Sequence, residues 1–325
     1  MKKIFSQSFP SLLKTAFIVG LMIIMTFCGE IKERVPQTIS ISGAFALYPL
    51  AEKWAEAYNE AATEEDQISF DIQAGGAGRG LSDVLGGAVE LGMYSSKLSG
   101  VEEAQGIWWT TVCIDVVLPT INSENPVFEV LKKNGLKKSQ FKSIFIDDQR
   151  TTWGALTGTA DDSHVNAFTR SDASGAADTW AAYFGRKQES LKGISVFGDP
   201  GIADAISRDP YGIGYNNAGY AFDIKTGQLR PGIAIVPIDL NENGKIDAGE
   251  DFYSDLDSLL KAVAAGKYPF PPARELYFIA QGKPKDKIII DFLKWVLTDG
   301  QAHVAASGYV PLKKEQIAEQ LRKLD

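Results

Sequence analysis

From Ile39 onward, short apolar segments alternate with stretches whose apolar residues recur at helical spacing. That alternation restricts the chain to a sheet covered by helices. Ile39-Ser40-Ile41 reads as a strand, Gly43 opens a turn, and Pro49 starts a helix with Leu50, Ala51, Trp54 and Tyr58 on one face. Ile68, Phe70 and Ile72 alternate as a second strand, which leads into a glycine-rich run at 75–80. Leu81, Val84, Leu85 and Ala88 mark a short helix, and residues 91–93 a third strand. The pattern recurs at 112–119, 194–197, 213–215 and 233–238, then closes with a strand at 276–279 and a helix at 286–297. Such an order predicts an α/β fold with a parallel sheet. At 325 residues the chain suits two α/β lobes with a ligand cleft between them, joined by strands crossing near 113–119 and 276–281. Lobe one is then discontinuous, over 38–116 and 277–325, and lobe two covers 117–276.

The first 28 residues differ from the rest. Lys2, Lys3 and Lys14 accompany an apolar run at 16–27, which is short for a membrane span and right for a signal-peptide core. Cys28 follows directly and 29–37 form a polar tether, so the segment resembles a bacterial lipoprotein signal with Cys28 as the lipidated residue. Export to the cell envelope follows, in the periplasm or on the outer surface, with a lipid anchor. Removing three lysines and no acids takes the net charge from −8 to −11. So acidic a protein lacks the basic footprint that nucleic acid requires. Cys113 is the second of only two cysteines, so there is no disulfide framework, and it reads as a small buried hydrophobe.

The segment Arg170-Ser171-Asp172-Ala173-Ser174-Gly175-Ala176 carries the most chemistry. Ala177, Trp180, Ala181 and Phe184 then recur at helical spacing, which puts Ser174 at an N-cap and Gly175 and Ala176 in the first turn. Free N–H groups and the helix dipole favour an anion there. Arg170 adds a planar fork of donors, and Asp172 is placed to orient it. The glycine run lacks a P-loop lysine and misses the dinucleotide spacing, so it reads as a tight turn whose N–H groups line a cleft. Catalysis finds little support. His164 and His303 stand in unrelated contexts, and no nucleophile elbow or zinc-spaced cluster occurs.

One metal motif is sharp. Asp239, Asn241, Asn243, Lys245, Asp247 and Glu250 occupy positions 1, 3, 5, 7, 9 and 12 of a calcium loop, with Gly244 at the turn and Lys245 offering its carbonyl. A strand precedes this loop at 239–250, so a single structural calcium loop inserted in lobe two is predicted rather than a helix–loop–helix hand.

Segments 43–58, 75–98, 141–156, 169–180 and 213–215, with Ser307-Gly308-Tyr309-Val310-Pro311-Leu312 at the end, resemble the phosphate-binding proteins of bacterial phosphate ABC transporters, within the type II periplasmic binding-protein superfamily. The most specific piece is Arg170-Ser171-Asp172-Ala173-Ser174-Gly175. The resemblance implies a two-lobed fold that closes on phosphate and delivers it to a membrane permease, as a monomer without an organic cofactor. It implies Arg170, Ser174, Gly175 and Ala176 on one wall of the site, and Ala46, Leu47 and Ser95 on the other. Ala176 stands where the family pattern has threonine, and Ser95 where its best-known members carry an aspartate that accepts a hydrogen bond from protonated phosphate. Two other functions fit the same chain: capture of sulfate, molybdate or tungstate, or a calcium-stabilised surface interaction module.

Overall fold

The structure, a computed structural model, describes residues 37–63 and 66–325. The signal segment, Cys28 and the tether up to residue 36 lie outside the described residues. Among the described residues no helix is long and apolar enough to cross a membrane.

Eleven strands are described: β1 Thr38–Gly43, β2 Ser69–Ala74, β3 Leu91–Tyr94, β4 Ile107–Asn122, β5 Leu136–Lys137, β6 Asn166–Arg170, β7 Ile194–Val196, β8 Gly212–Asn217, β9 Ile233–Ile235, β10 Ile238–Asp239 and β11 Ala273–Gln281. One sheet runs in the order β2-β1-β3-β11-β4-β8-β6-β7, with β9 beside β4, and β10 pairs separately with β5. The sheet is mixed, which corrects the parallel arrangement. β1 lies parallel to β2 and β3, and β6 to β7 and β8, but β11 is antiparallel to β3 and β4, and β4 to β8 and β9. Strand–helix alternation dictates the parallel pairs, whereas the two strands that pass between cores return through long connections and meet head to tail. The segment at 233–238 is likewise two strands, interrupted before Ile238.

Two large apolar cores, with a small third cluster of Phe168, Ile202 and Ile206, hold this sheet. The first gathers Trp54, Leu91, Met93, Phe278 and Phe292; Tyr58 sits among Phe70, Phe292 and Trp295 with edge-on rings. The second is centred on Trp180, fully buried against Phe141, Phe145, Phe184 and Tyr215 at centroid distances of 5.2–6.0 Å. Offset and edge-on aromatic contacts of this kind add to the area they bury. β4 serves both: Val112 and Cys113 pack in the first core, Val116 to Leu118 in the second. On β11 the same change falls between Ala273 and Leu276. β4 is rich in β-branched and aromatic residues and buried along nearly its whole length because both faces of the strand are covered. Cys113 is free and buried.

At that change of core, Arg274 of β11 stands directly opposite Asp115 of β4. Arg274 donates to Asp115 Oδ2 from Nη2 at 2.8 Å and from Nε at 3.2 Å, and to the Ser95 carbonyl from Nη1 at 3.2 Å. Both side chains are almost completely buried, and Asp115 Oδ1 has no partner. Burial pushes the Asp115 carboxyl up, against the pull of Arg274.

Replacing Arg274 with alanine leaves this carboxylate buried without a counter-charge, which should cost about 3–5 kcal/mol. Asp115 then titrates higher in the folded than in the unfolded chain, so the penalty applies above its unfolded range and eases as pH falls. Urea unfolding should show a larger deficit near about pH 8 than near about pH 5.

Candidate functional site around Arg170

Arg170 ends β6, and five residues later the helix Gly175–Tyr183 begins. Ser174 is its N-cap: the backbone is extended there, and Oγ accepts from the Ala177 N–H at 3.3 Å. Burial of Trp180 in the second core fixes this helix and therefore the aim of its N-terminus. The Tyr215 hydroxyl accepts from the Arg170 N–H at 3.2 Å and bonds Thr169 Oγ1 at 2.8 Å, which pins the end of β6 from β8. Gly175 and Ala176, at the first two helical positions, have no intrahelical acceptor for their N–H groups.

The Arg170 side chain is only 1% exposed. Its Nε and Nη2 donate to the two oxygens of Asp172 at 2.8 and 2.6 Å. Its Nη1 donates to Asp199 Oδ2 at 2.5 Å. A guanidinium carries five N–H donors. These bonds use three, so one hydrogen remains on each of Nη1 and Nη2, at the end of the fork. Burial works against the charge of Arg170, but Asp199 and then Asp172 outweigh it and hold the group more firmly protonated than usual. Burial likewise opposes the charge on Asp172, yet Arg170 and the Gly198 N–H keep its carboxyl below the ordinary range.

Segments of the first core close over this wall. The turn 44–47 lies across it, with the Phe45 ring 5.7 Å from the guanidinium carbon and edge-on to Phe197. Tyr220 and Tyr309 donate to the carbonyls of Phe45 and Ala46 at 3.2 and 2.7 Å. Ala46 and Leu47 are buried, and Leu47 precedes the helix Tyr48–Ala61. Ser95, also buried, follows β3 and lies against Gly175, where a Cβ would stand 2.1 Å from Ser95 Oγ. Gly76 fits beside Asp172 Oδ2 with a positive φ of 94° that suits glycine. Ala46, Leu47, Ser95, Arg170, Asp172, Ser174, Gly175 and Ala176 thus converge on one junction between the cores.

The glycine-rich turn differs from its sequence reading. The N–H groups of Gly75 and Gly76 donate to the Gly43 carbonyl at 2.8 and 3.0 Å, and that of Gly78 to the Ala173 carbonyl at 3.2 Å. These donors join neighbouring backbone rather than line a cleft.

Four buried residues escaped the sequence. Asp199, on the helix Gly198–Arg208, accepts from Asn217 Nδ2 at 2.7 Å, and the Asn217 carbonyl oxygen Oδ1 accepts from Arg274. With Asp115 they form one hydrogen-bonded chain from Arg170 to the β4–β11 crossover. The turn Gly198-Asp199-Pro200-Gly201 was the available signal, since it passes from strand to helix as 170–175 does. The parallel neighbours β6 and β7 bring the two turns together.

The calcium-type loop lies apart, leaving β10 and tied to the strand before it. Asp239 accepts from the Asn243 and Gly244 N–H groups at 3.2 and 2.7 Å, and Gly244 has a φ of 84°. Glu250 accepts from the N–H groups of Leu240, Asn241 and Asp247 at 3.0–3.1 Å. Asn243 Oδ1 accepts from the Lys245 N–H, and the Ile246 N–H is held by the Lys133 carbonyl. The Lys245 ammonium, then the Asn241 and Asn243 amides, hold the Asp247 carboxyl down to about 2. Among the described residues no three or more His, Cys, Asp or Glu side chains are grouped to hold a metal.

The family described as "PBP superfamily domain" matches residues 30–300. The chain belongs to that superfamily. Similar PBP relatives include the phosphate-binding protein PstS of Bacillus subtilis, 26% identical over 285 residues, covering 86% of this chain and 83% of the relative. PstS of Xylella fastidiosa is 25% identical over 307 residues, covering 85% and 82%. Among solved PBP folds, a Clostridium perfringens protein described as a phosphate ABC transporter substrate-binding protein, with phosphate bound, superposes with a TM-score of 0.67 at 22% identity, covering 85% of this chain and all of the other. An ABC-type phosphate transport receptor from Vibrio cholerae gives 0.59 at 16% identity, covering 84% of this chain and all of that one. The mixed sheet with two crossing strands is this type II binding-protein fold.

Substituting Gly175 with alanine introduces a Cβ where no real contact is that short. Small-angle X-ray scattering should show the variant more open than the parent, with a larger radius of gyration, while the near-ultraviolet signal of buried Trp180 persists.

Proposed function

We propose that this chain is the solute-binding component of an ABC importer and captures inorganic phosphate at the junction around Arg170. The observation that carries this is the end of the Arg170 fork. Two guanidinium hydrogens remain there, held in place by two carboxylates, beside a capped helix whose first N–H groups have no intrahelical acceptor. Such preorganised donors in a water-poor site suit a tetrahedral oxyanion. The names of the relatives, and the bound phosphate of the Clostridium perfringens structure, favour phosphate within that class. Its role is carriage to a permease, not catalysis. The N-terminal signal pattern supports export with a lipid anchor at Cys28; we read the mature protein as a monomer.

Phosphate at about 100 times its dissociation constant should stabilise the chain by roughly 2.7 kcal/mol, read as a rise in melting temperature. Arg170→Ala should remove that rise while the variant still unfolds cooperatively. No rise with phosphate, sulfate, molybdate or tungstate would exclude oxyanion capture.

We also propose that residues 239–250 bind one calcium ion as a structural clip. The donors are all oxygen: three carboxylates, two side-chain amides and the Lys245 carbonyl, in a loop whose turn is already formed at Gly244. The structure is only partly arranged for it, since Lys245 pairs with Asp247 and Glu250 faces backbone N–H groups. Calcium binding therefore requires Glu250 to turn inward. Calcium should raise the melting temperature and a chelator reverse the rise, whereas Glu250→Gln should abolish it. An unchanged melting temperature in calcium and in chelator would rule the clip out.

A further inference from the structure

Two phenylalanines at this junction belong to none of the apolar clusters. Phe197 follows β7 directly and is 61% exposed, and Phe45 stands half-buried in the turn 44–47. Phenylalanine rings ordinarily find their partners in a core. These two meet each other instead, edge-on with ring centroids 6.0 Å apart.

The turn that carries Phe45 is fixed to the first core. The Ala44 N–H donates to the Met93 carbonyl at 2.9 Å, and the Gly43 carbonyl holds the N–H groups of Gly75 and Gly76. The Phe45 side chain reaches away from that anchorage. Its ring centroid lies 5.7 Å from the guanidinium carbon of Arg170. Its Cζ abuts Gly198, where an added Cβ would stand only 3.3 Å away. Arg170, Phe197 and Gly198 all stand on the other side of the junction, and from that side Tyr220 also holds the Phe45 carbonyl at 3.2 Å. Phe45 is therefore a knob from one side seated in a notch of the other. Edge-on aromatic pairs and cation–π contacts both favour that seat.

Resting on phosphate capture at Arg170, we infer that Phe45 is a positioning residue that keys the two sides of the site together, with Phe197 as the lip of its notch. The ring acts on the opening step. It must leave the guanidinium and the edge of Phe197 before the two sides can part and the anion can depart. Its contribution therefore falls on the dwell time of the anion rather than on the encounter. A ring pair within one side of the site would have no such effect, because opening would not separate it.

Release of radiolabelled phosphate from the mature chain, chased with excess unlabelled phosphate, tests this. Phe45→Ala should speed release about tenfold and Phe197→Ala about threefold, with association changed by less than about twofold. Because Phe197 acts through Phe45, Phe197→Ala should add nothing in the Phe45→Ala background. Phe197→Tyr, which keeps the ring, should release as slowly as the parent. The assignment is overturned, with phosphate capture left standing, by any of three results: equal release from the parent and Phe197→Ala, a Phe197→Ala effect that persists in full without Phe45, or Phe197→Tyr releasing as fast as Phe197→Ala. A parent that binds no phosphate overturns both. Should Phe45→Ala fail to fold, the exposed position decides alone. Slow release from Phe197→Tyr beside fast release from Phe197→Ala supports the inference, and equal rates overturn it.

Discussion

The Arg274–Asp115 pair is the interaction on which the rest of the structure turns. It joins β11 to β4 at the point where both strands leave one core and enter the other. A charge pair so buried is a poor source of stability beside an apolar alternative, because desolvation offsets most of its attraction. What it supplies is direction. Arg274 also grips the Ser95 carbonyl and Asn217, so the crossover, the third strand's end and the end of β8 share one set of hydrogen bonds.

From Asn217 the same chain reaches Asp199 and then Arg170. An arginine with several rotatable bonds would otherwise lose much of its binding energy to ordering. Here the guanidinium is fixed on one edge by Asp172 and at one tip by Asp199, and the backbone beneath it is tied to Tyr215. The excess of negative charge around Arg170 is therefore not a defect in an anion site. It is the cost of presenting two donors in a fixed direction.

Local features of this chain were legible in its sequence and tertiary ones were not. Ser174 was readable as a cap because a serine before an apolar helical pattern has few other uses, and the strands at 39–41 and 91–93 announce themselves by composition. The direction of β11 was not readable, since an apolar strand looks the same run either way. Asp115, Asn217 and Arg274 are 57 or more residues apart at the nearest pair that bonds Arg274, and only strand register brings them together. Gly75 and Gly76 misled for a related reason: a turn's N–H groups look free until the carbonyl of Gly43 is placed beside them. The calcium-type loop is the opposite case, where spacing is explicit and the side chains are only partly gathered.

The two tyrosines above the turn 44–47 have an effect larger than their bonds suggest. A peptide unit is planar and trans, so fixing a carbonyl's direction fixes the opposite direction of the following N–H. By holding the oxygens of Phe45 and Ala46, Tyr220 and Tyr309 decide which way the dipoles of two successive peptides point. Tyr309 does so from within the first core, while Tyr220 reaches over from the second. The polarity of one wall of the site is thus complete only when the opposite side of the molecule has arrived.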